Sequence, residues 1–410
     1  MIEVKGTQTE AKIFSNIPQE AAIEQIKELC DQDFMKGLKL RIMPDYHAGK
    51  GCVIGTTIKI EDKVVPNLVG VDLGCGVLTI QLKEKQMDFA KLDKIIRKFV
   101  PNGQNIHENI RDINTVDIAD FKAKSLLSIE RTNKSLGTLG SGNHYIEISK
   151  DEEGFLYLTI HTGSRYVGAK IAEHYQKVAY RELKKFDAET VIGKLKAEGR
   201  HNEIAETLKK MKSEVPNVKK DLAYLEGRYF EDYIHDVKLS QQYAKDNRTE
   251  IANIIIKHME LGVEDVFDTV HNYIDTDSMI LRKGAVSAEN GERIIIPINM
   301  RDGSIIALGK GNPDWNYSAP HGAGRVLSRT KAKKQLELNA FRDTMKDVWS
   351  TSVGEDTLDE APMAYKSMEE IMSQIGDTVE VVKIIKPVYN FKAADEPKFW
   401  EKKKQKKECQ

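Results

Sequence analysis

The chain has 410 residues, 40% of them hydrophobic and 30% charged, with a formal net charge of −1. That balance is ordinary for a globular protein and excludes a global basic field for nucleic acid, so any polyanion site must be a local patch. Four cysteines, a polar N-terminus without a signal-peptide core and no run long enough to span a bilayer predict a reduced, cytoplasmic protein whose cysteines are thiols.

In chain order, "IPQEAAIEQIKELCDQ" predicts a helix, with Pro18 in its first turn and Ile23, Ile26 and Leu29 at helical spacing. From Leu40 to about Leu82 the pattern changes to short β-rich runs broken by glycines, among them "MPDYHAGKGCVIGTTIKI" and "VVPNLVGVDLGCGVLTIQL". A helix follows at "MDFAKLDKIIRKFV", then two strands, "LGTLGSGNHYIEIS" and "FLYLTIHTGSR", joined by a "KDEEG" turn. A charge-rich helical stretch occupies about 169–260, and β character returns at "GERIIIPINMRDGSIIAL". The segment "GNPDWNYSAPHGAGRVLSR" is poor in aliphatic residues, and beyond it come a helix ("SMEEIMSQIG") and a strand ("TVEVVKIIKPV"). Helices and strands neither alternate strictly nor segregate, which predicts an α+β fold.

The chemistry collects around five histidines set beside glycine or asparagine: His47, His144, His161, His271 and His321. With the pairing centre between Glu152 and Glu153, His144 falls directly opposite His161, and their Cβ atoms would stand about 5 Å apart on one face. A one-residue slip would put them on opposite faces. In "VGVDLGCG", Asp72 precedes Cys75 by three residues, and glycines border the thiol. A lone D-x-x-C is commonly structural, but with His144, His161 and His271 it makes a two-metal set in which a thiolate can bridge. Such a pair of cations suits phosphorus chemistry. By donor type alone the set favours zinc, because manganese prefers oxygen. In "APHGAGR", small residues allow a bulky substrate close to His321, while Arg325 and Arg329 can fork onto phosphate. His321 serves there equally well as ligand, base or nucleophile. Arg165 in "HTGSR" repeats the pairing of histidine with arginine.

Taken together, "MPDYHAGKG", "VGVDLGCG", "LGSGNHYIEI", "HTGSR", "YAKDNR", "HGAGRVLSR" and "DEAPMAYK" resemble the RtcB family of RNA-splicing ligases, in family order from Met43 to Lys366. The resemblance implies a single large RtcB-type domain over 1–393, working as a monomer. The lysine-rich stretch at 394–410 runs past the usual family terminus and is expected to be a flexible basic tail. It implies GTP- and Mn²⁺-dependent joining of an RNA 3′-phosphate or 2′,3′-cyclic phosphate to a 5′-hydroxyl. Two Mn²⁺ ions would be held by Asp72, Cys75, His144, His161 and His271, with Cys75 bridging. His321 would be the nucleophile that takes GMP, oriented by Asp45. Asn143, Gly322, Gly324 and Arg325 would hold the nucleotide, with Glu147 and Lys392 near the guanine. Arg165, Arg329 and Arg131 would receive RNA phosphates. Leu281 in "LRKGA" and Ala393 after Lys392 depart from the family pattern, and tRNA splicing as the physiological task is not implied.

Two other readings use the same residues. One is a capping enzyme that leaves GMP on a nucleic-acid 3′-phosphate without sealing it. The other is a two-metal phosphoesterase that needs no nucleotide. A purely structural metal module gives Arg165, Arg325 and Arg329 nothing to do.

Overall fold

Strand Leu156–Thr162 is buried at every position, as a strand covered on both faces must be. In the computed structural model, which describes residues 1–111, 115–185, 188–214 and 218–393, it lies within a seven-stranded antiparallel sheet. The spatial order is Val263–Val270, Gly76–Leu82, Leu156–Thr162, Tyr145–Lys150, Val379–Lys392, Gly303–Gly309 and Arg293–Asn299. Alternate residues divide its two faces. Leu78, Ile80, Ile146, Ile148, Leu158 and Ile160 pack beneath helix Phe89–Phe99 and the long helix Gly227–Met259, forming a core with Leu92, Ile96, Ile251 and Ile255.

The opposite face carries Thr79, Thr159, Glu147 and Asn390 in one cross-strand row. That face is covered because the sheet curls. Its outer strands meet through an Arg293–Asp265 ion pair and a hydrogen bond from Ile295 N to Thr269 Oγ1 at 3.2 Å. Val77, Tyr157, Ile295, Ile306 and Ile385 fill part of the curl, and the rest is open.

A six-stranded sheet packs beside it, in the order Ile2–Lys5, Glu10–Ile13, Leu40–His47, Ile54–Lys59, Ile280–Lys283 and Asn272–Asp275. Its core includes Ala22, Ile26 and Leu29 of helix Glu20–Cys30, together with Val167 and Ile171 of helix Arg165–Lys184. The first helix starts later than its sequence pattern: Gln19 is the N-cap, so Pro18 lies ahead of the helix rather than inside its first turn. The architecture is α+β in one large domain, and the 169–260 stretch is largely helical as its composition predicts. The tail at 394–410 lies outside the described residues.

Candidate metal and nucleotide site

The open end of the curled sheet is a cavity of about 290 Å³ where the two sheets meet. Cys75 enters it from the turn ahead of strand Gly76–Leu82, with Cys75 N donating to Asp72 O at 3.2 Å. Gly74 makes that turn possible. Its φ is +71°, and a Cβ there would stand 2.8 Å from Gln241 Cα of the long helix. His161 is the last residue but one of its strand, and His271 lies between strands Val263–Val270 and Asn272–Asp275.

The hairpin register differs from the symmetric one by one residue: Tyr145, not His144, pairs with His161. The cause lies in the loop. Asp151 Oδ1 accepts from Glu153 N at 3.1 Å and Phe155 N at 2.9 Å, closing a five-residue loop at 151–155 whose centre is Glu153 rather than the point between Glu152 and Glu153. The slip does not separate the histidines, because His144 precedes its strand and the pleat does not govern it. Its Nδ1 is bonded to Leu139 O at 2.8 Å, which turns Nε2 toward Cys75 Sγ at 3.5 Å and Asp72 Oδ2 at 2.9 Å.

His161 is anchored the same way, Nδ1 to Asn143 O at 3.1 Å, leaving Nε2 at 3.3 Å from Cys75 Sγ and 3.3 Å from His271 Nε2. Two donor groups result, Asp72/Cys75/His144 and Cys75/His161/His271, and they share only the sulfur. These residues fit a metal. Ligands of a four-coordinate ion stand about 3.3–3.7 Å apart, and a carbonyl on the far ring nitrogen fixes the tautomer that offers Nε2. Burial, helped by the Asp72 carboxylate, pushes the Cys75 thiol well above its usual range, so a thiolate here needs a cation beside it. Burial, with neighbouring rings adding, holds His161 and His271 well below the usual imidazole range, so both are neutral donors.

His321 follows strand Ser318–Pro320, with its ring 5.0 Å from that of His271. Its Nδ1 is 2.6 Å from Oδ2 of the wholly buried Asp45. The two atoms are close but not aligned for a hydrogen bond, and neither has another partner among the described residues. The contact turns Nδ1 toward the carboxylate and leaves Nε2 as the other ring nitrogen of His321. Gly324 sets this approach: its φ is +73°, and a Cβ would stand 2.1 Å from Asp45 O. His47 also lines the cavity, and burial pushes it down to about 4.

Beyond His321 lies a buried charge cluster. Glu360 meets Lys392, Arg329 at 2.7 Å, Arg325 at 3.3 Å and the Tyr365 hydroxyl at 2.7 Å. Burial alone would raise its carboxyl, but Lys392 and Arg329 hold it down to about 2. Glu147 shows the opposite balance. Burial pushes it up to about 7, although Ser149 Oγ at 2.8 Å and Asn390 Nδ2 at 2.7 Å donate to it and Lys392 is near.

The chain matches the family model described as "tRNA-splicing ligase RtcB" over residues 25–124 and 101–393. It belongs to the RtcB family. It is 32% identical over 396 residues to the RNA-splicing ligase RtcB of Escherichia coli strain K12, covering 85% of this chain and 88% of that relative. It is 25% identical over 436 residues to the tRNA-splicing ligase RtcB of Aeropyrum pernix, covering 84% and 85%. To the one from Nanoarchaeum equitans it is 25% identical over 422 residues, covering 81% and 83%.

Of the residues expected from the RtcB resemblance, the cavity brings together Asp72, Cys75, Asn143, Glu147, His161, His271, His321, Gly322, Gly324, Arg325, Arg329 and Lys392. His144 and Asp45 stand directly behind that lining. Two arginines are elsewhere. Arg165, at φ +54°, points under the glycine loop and donates to Gly103 O at 3.2 Å and Thr138 Oγ1 at 3.3 Å. Arg131 is exposed on helix Ile129–Ser135, its guanidinium 5.0 Å over the Tyr166 ring. Sequence reasoning gave no role to Asp359, Glu360, Tyr365 or Asn390. The adjacent acids of "DEAPMAYK" were a signal for the first three, since paired carboxylates in an otherwise apolar segment need buried cations.

Proposed function

We propose that this chain is an RNA ligase that joins a 3′-phosphate or 2′,3′-cyclic phosphate end to a 5′-hydroxyl end, consuming GTP through a GMP adduct on His321. The observation that carries this reading is the position of His321, between the buried Asp45 carboxylate 2.6 Å away and the His271 ring of the cysteine-centred donor set. A phosphoesterase would use such donors without needing a second, carboxylate-oriented histidine beside them.

Two divalent ions, proposed as Mn²⁺, would neutralise charge on the reacting phosphates; Asp72, Cys75 and His144 would hold one, and Cys75, His161 and His271 the other. Asp45 sets the His321 ring so that Nε2 is the attacking atom and stabilises the ring as it gains positive character. Attack on the α-phosphorus of GTP forms a P–N bond and releases pyrophosphate. An RNA 3′-phosphate oxygen then displaces His321, and the 5′-hydroxyl displaces GMP to seal the strand. Asn143, Gly322, Gly324 and Arg325 are proposed to hold nucleotide phosphates, with Glu147 and Lys392 at the guanine. Arg329 is proposed to reach RNA phosphate from the cavity rim, and Arg165 and Arg131 to extend that surface.

The test is incubation with α-labelled GTP and Mn²⁺, followed by a 3′-phosphate strand with or without a 5′-hydroxyl acceptor. Acid-labile label on the protein, absent in His321→Ala, and a sealed product are expected. Label that ends on the 3′-phosphate strand even with an acceptor present would make the chain a capping enzyme. No label at all, with phosphate released, would make it a phosphoesterase.

A further inference from the structure

Two consecutive residues of the long helix, Asn247 and Arg248, are wholly buried behind the metal-type donors and touch neither the cavity nor solvent. Arg248 forks onto Asp268, Nε to Oδ1 at 2.8 Å and Nη2 to Oδ2 at 2.6 Å. Its Nη1 donates to Gly74 O at 2.8 Å and to Thr162 O at 2.9 Å. Gly74 precedes Cys75, Thr162 follows His161, and Asp268 lies three residues before His271 on the same stretch of chain. One guanidinium therefore ties together three strands, and each delivers one member of the Cys75/His161/His271 group.

Asn247 addresses the other group. Its Oδ1 accepts from Gly137 N at 2.8 Å and Thr138 N at 3.0 Å. Its Nδ2 donates to Thr138 O and to Gly163 O, each at 3.1 Å. Thr138 leads into Leu139, whose carbonyl fixes His144. Gly163 lies flat against Asp72, where a Cβ would stand 2.2 Å from Oδ1.

We propose that Asn247 and Arg248 are positioning residues that set the two ion sites separately, Arg248 the Cys75/His161/His271 site and Asn247 the Asp72/Cys75/His144 site. This rests on the two-ion reading of the donor cluster. The chemistry of the side chains fits the division. A planar fork can hold three chain segments in fixed relation, which a lysine cannot, and a carboxamide can satisfy an N–H pair and two carbonyls at once.

The test uses the full chain, stripped of metal and titrated with Co²⁺, reading bound metal per chain and the thiolate-to-cobalt absorption. Wild type is expected to take up about two ions. Arg248→Lys keeps the charge and loses the fork, so one ion should weaken about tenfold or more while the other is unchanged. Adding His271→Ala should then weaken that same ion further and leave the other unchanged, whereas adding His144→Ala should weaken both. Asn247→Asp should give the mirror result. Asp268→Asn, which loosens the same fork, supplies the Arg248 result should the lysine variant fold poorly. The metal-free Tm of each variant separates positioning from general support. Equal weakening of both ions, following the fall in Tm, would overturn the inference and leave the two-ion reading standing. A wild-type chain that takes up no cobalt would overturn both.

Discussion

Replacing Glu147 with glutamine should remove one falling component from the pH dependence of the chain's stability. Glu147 is 4% exposed, and burial lifts its carboxyl from an ordinary 4.5 to about 7 against the pull of Ser149, Asn390 and Lys392. The folded chain therefore keeps this proton between about pH 4.5 and 7, while the unfolded chain has lost it. Because the folded state binds more protons there, stability falls as pH rises through that window and levels off above it. A shift of that size corresponds to about 3 kcal/mol at 1.36 kcal/mol per unit. Glutamine is never charged, so Glu147→Gln should match wild type near pH 4.5 and exceed it by up to about 3 kcal/mol at pH 8. Urea unfolding of metal-free chains at pH 4.5, 6, 7 and 8 measures the difference directly. A gap between the two chains that does not grow with pH would show that Glu147 is not the titrating group. A gap of the opposite sign would show that Lys392 and the two hydrogen bonds outweigh burial.

Cys75→Ala should bind almost no metal, whereas His144→Ala should keep about one ion, because only the sulfur belongs to both donor groups; retention of two ions by the alanine variant would remove the bridging role. His321→Ala should lose the GMP adduct yet keep its metals, and an adduct that persists would point to His47. Gly324→Ala should lose at least about 1 kcal/mol of stability from the left-handed backbone alone. Its Cβ clash with Asp45 O should also part His321 from Asp45, so a normal adduct yield would contradict the account of that contact. Arg329→Ala should spare guanylylation and weaken strand joining, since one charge-assisted contact contributes about 1.5–3 kcal/mol; equal loss in both steps would place Arg329 on GTP.

Much of the donor set was legible because its members carry their own local signals. Cys75 is bordered by glycines, and one of them, Gly74, is required by both a left-handed backbone and a helix 2.8 Å from its would-be Cβ. His321 sits in a run of small residues that lets its loop press against Asp45. The helices at Glu20–Cys30 and Phe89–Phe99 follow apolar spacing that survives into the fold within two or three residues at each end. What spacing does not encode is the partner of a buried charge. Nothing in the sequence around Glu360 says that Lys392, 32 residues on, will neutralise it, or that Arg329 reaches it from the other direction. Nor does the sequence around Arg165 indicate that its guanidinium donates to one backbone oxygen, Gly103 O, and one hydroxyl, Thr138 Oγ1.

The hairpin shows how a correct grouping can arise by a route other than the one its spacing implies. Facing rule and register together place His144 opposite His161 only if both are strand residues. The Asp151 side chain closes a loop at 151–155 centred on Glu153, and the register moves by one. A strand residue would then have turned away from the cavity. His144 does not, because its orientation comes from the Leu139 carbonyl on Nδ1, and Leu139 is held in turn by the segment that Asn247 clasps. The segment that leads into Leu139 is thus held from the long helix, more than a hundred positions away in sequence. A change at Asn247 should therefore disturb His144 more than a change in the hairpin turn does, even though the turn is closer in the chain.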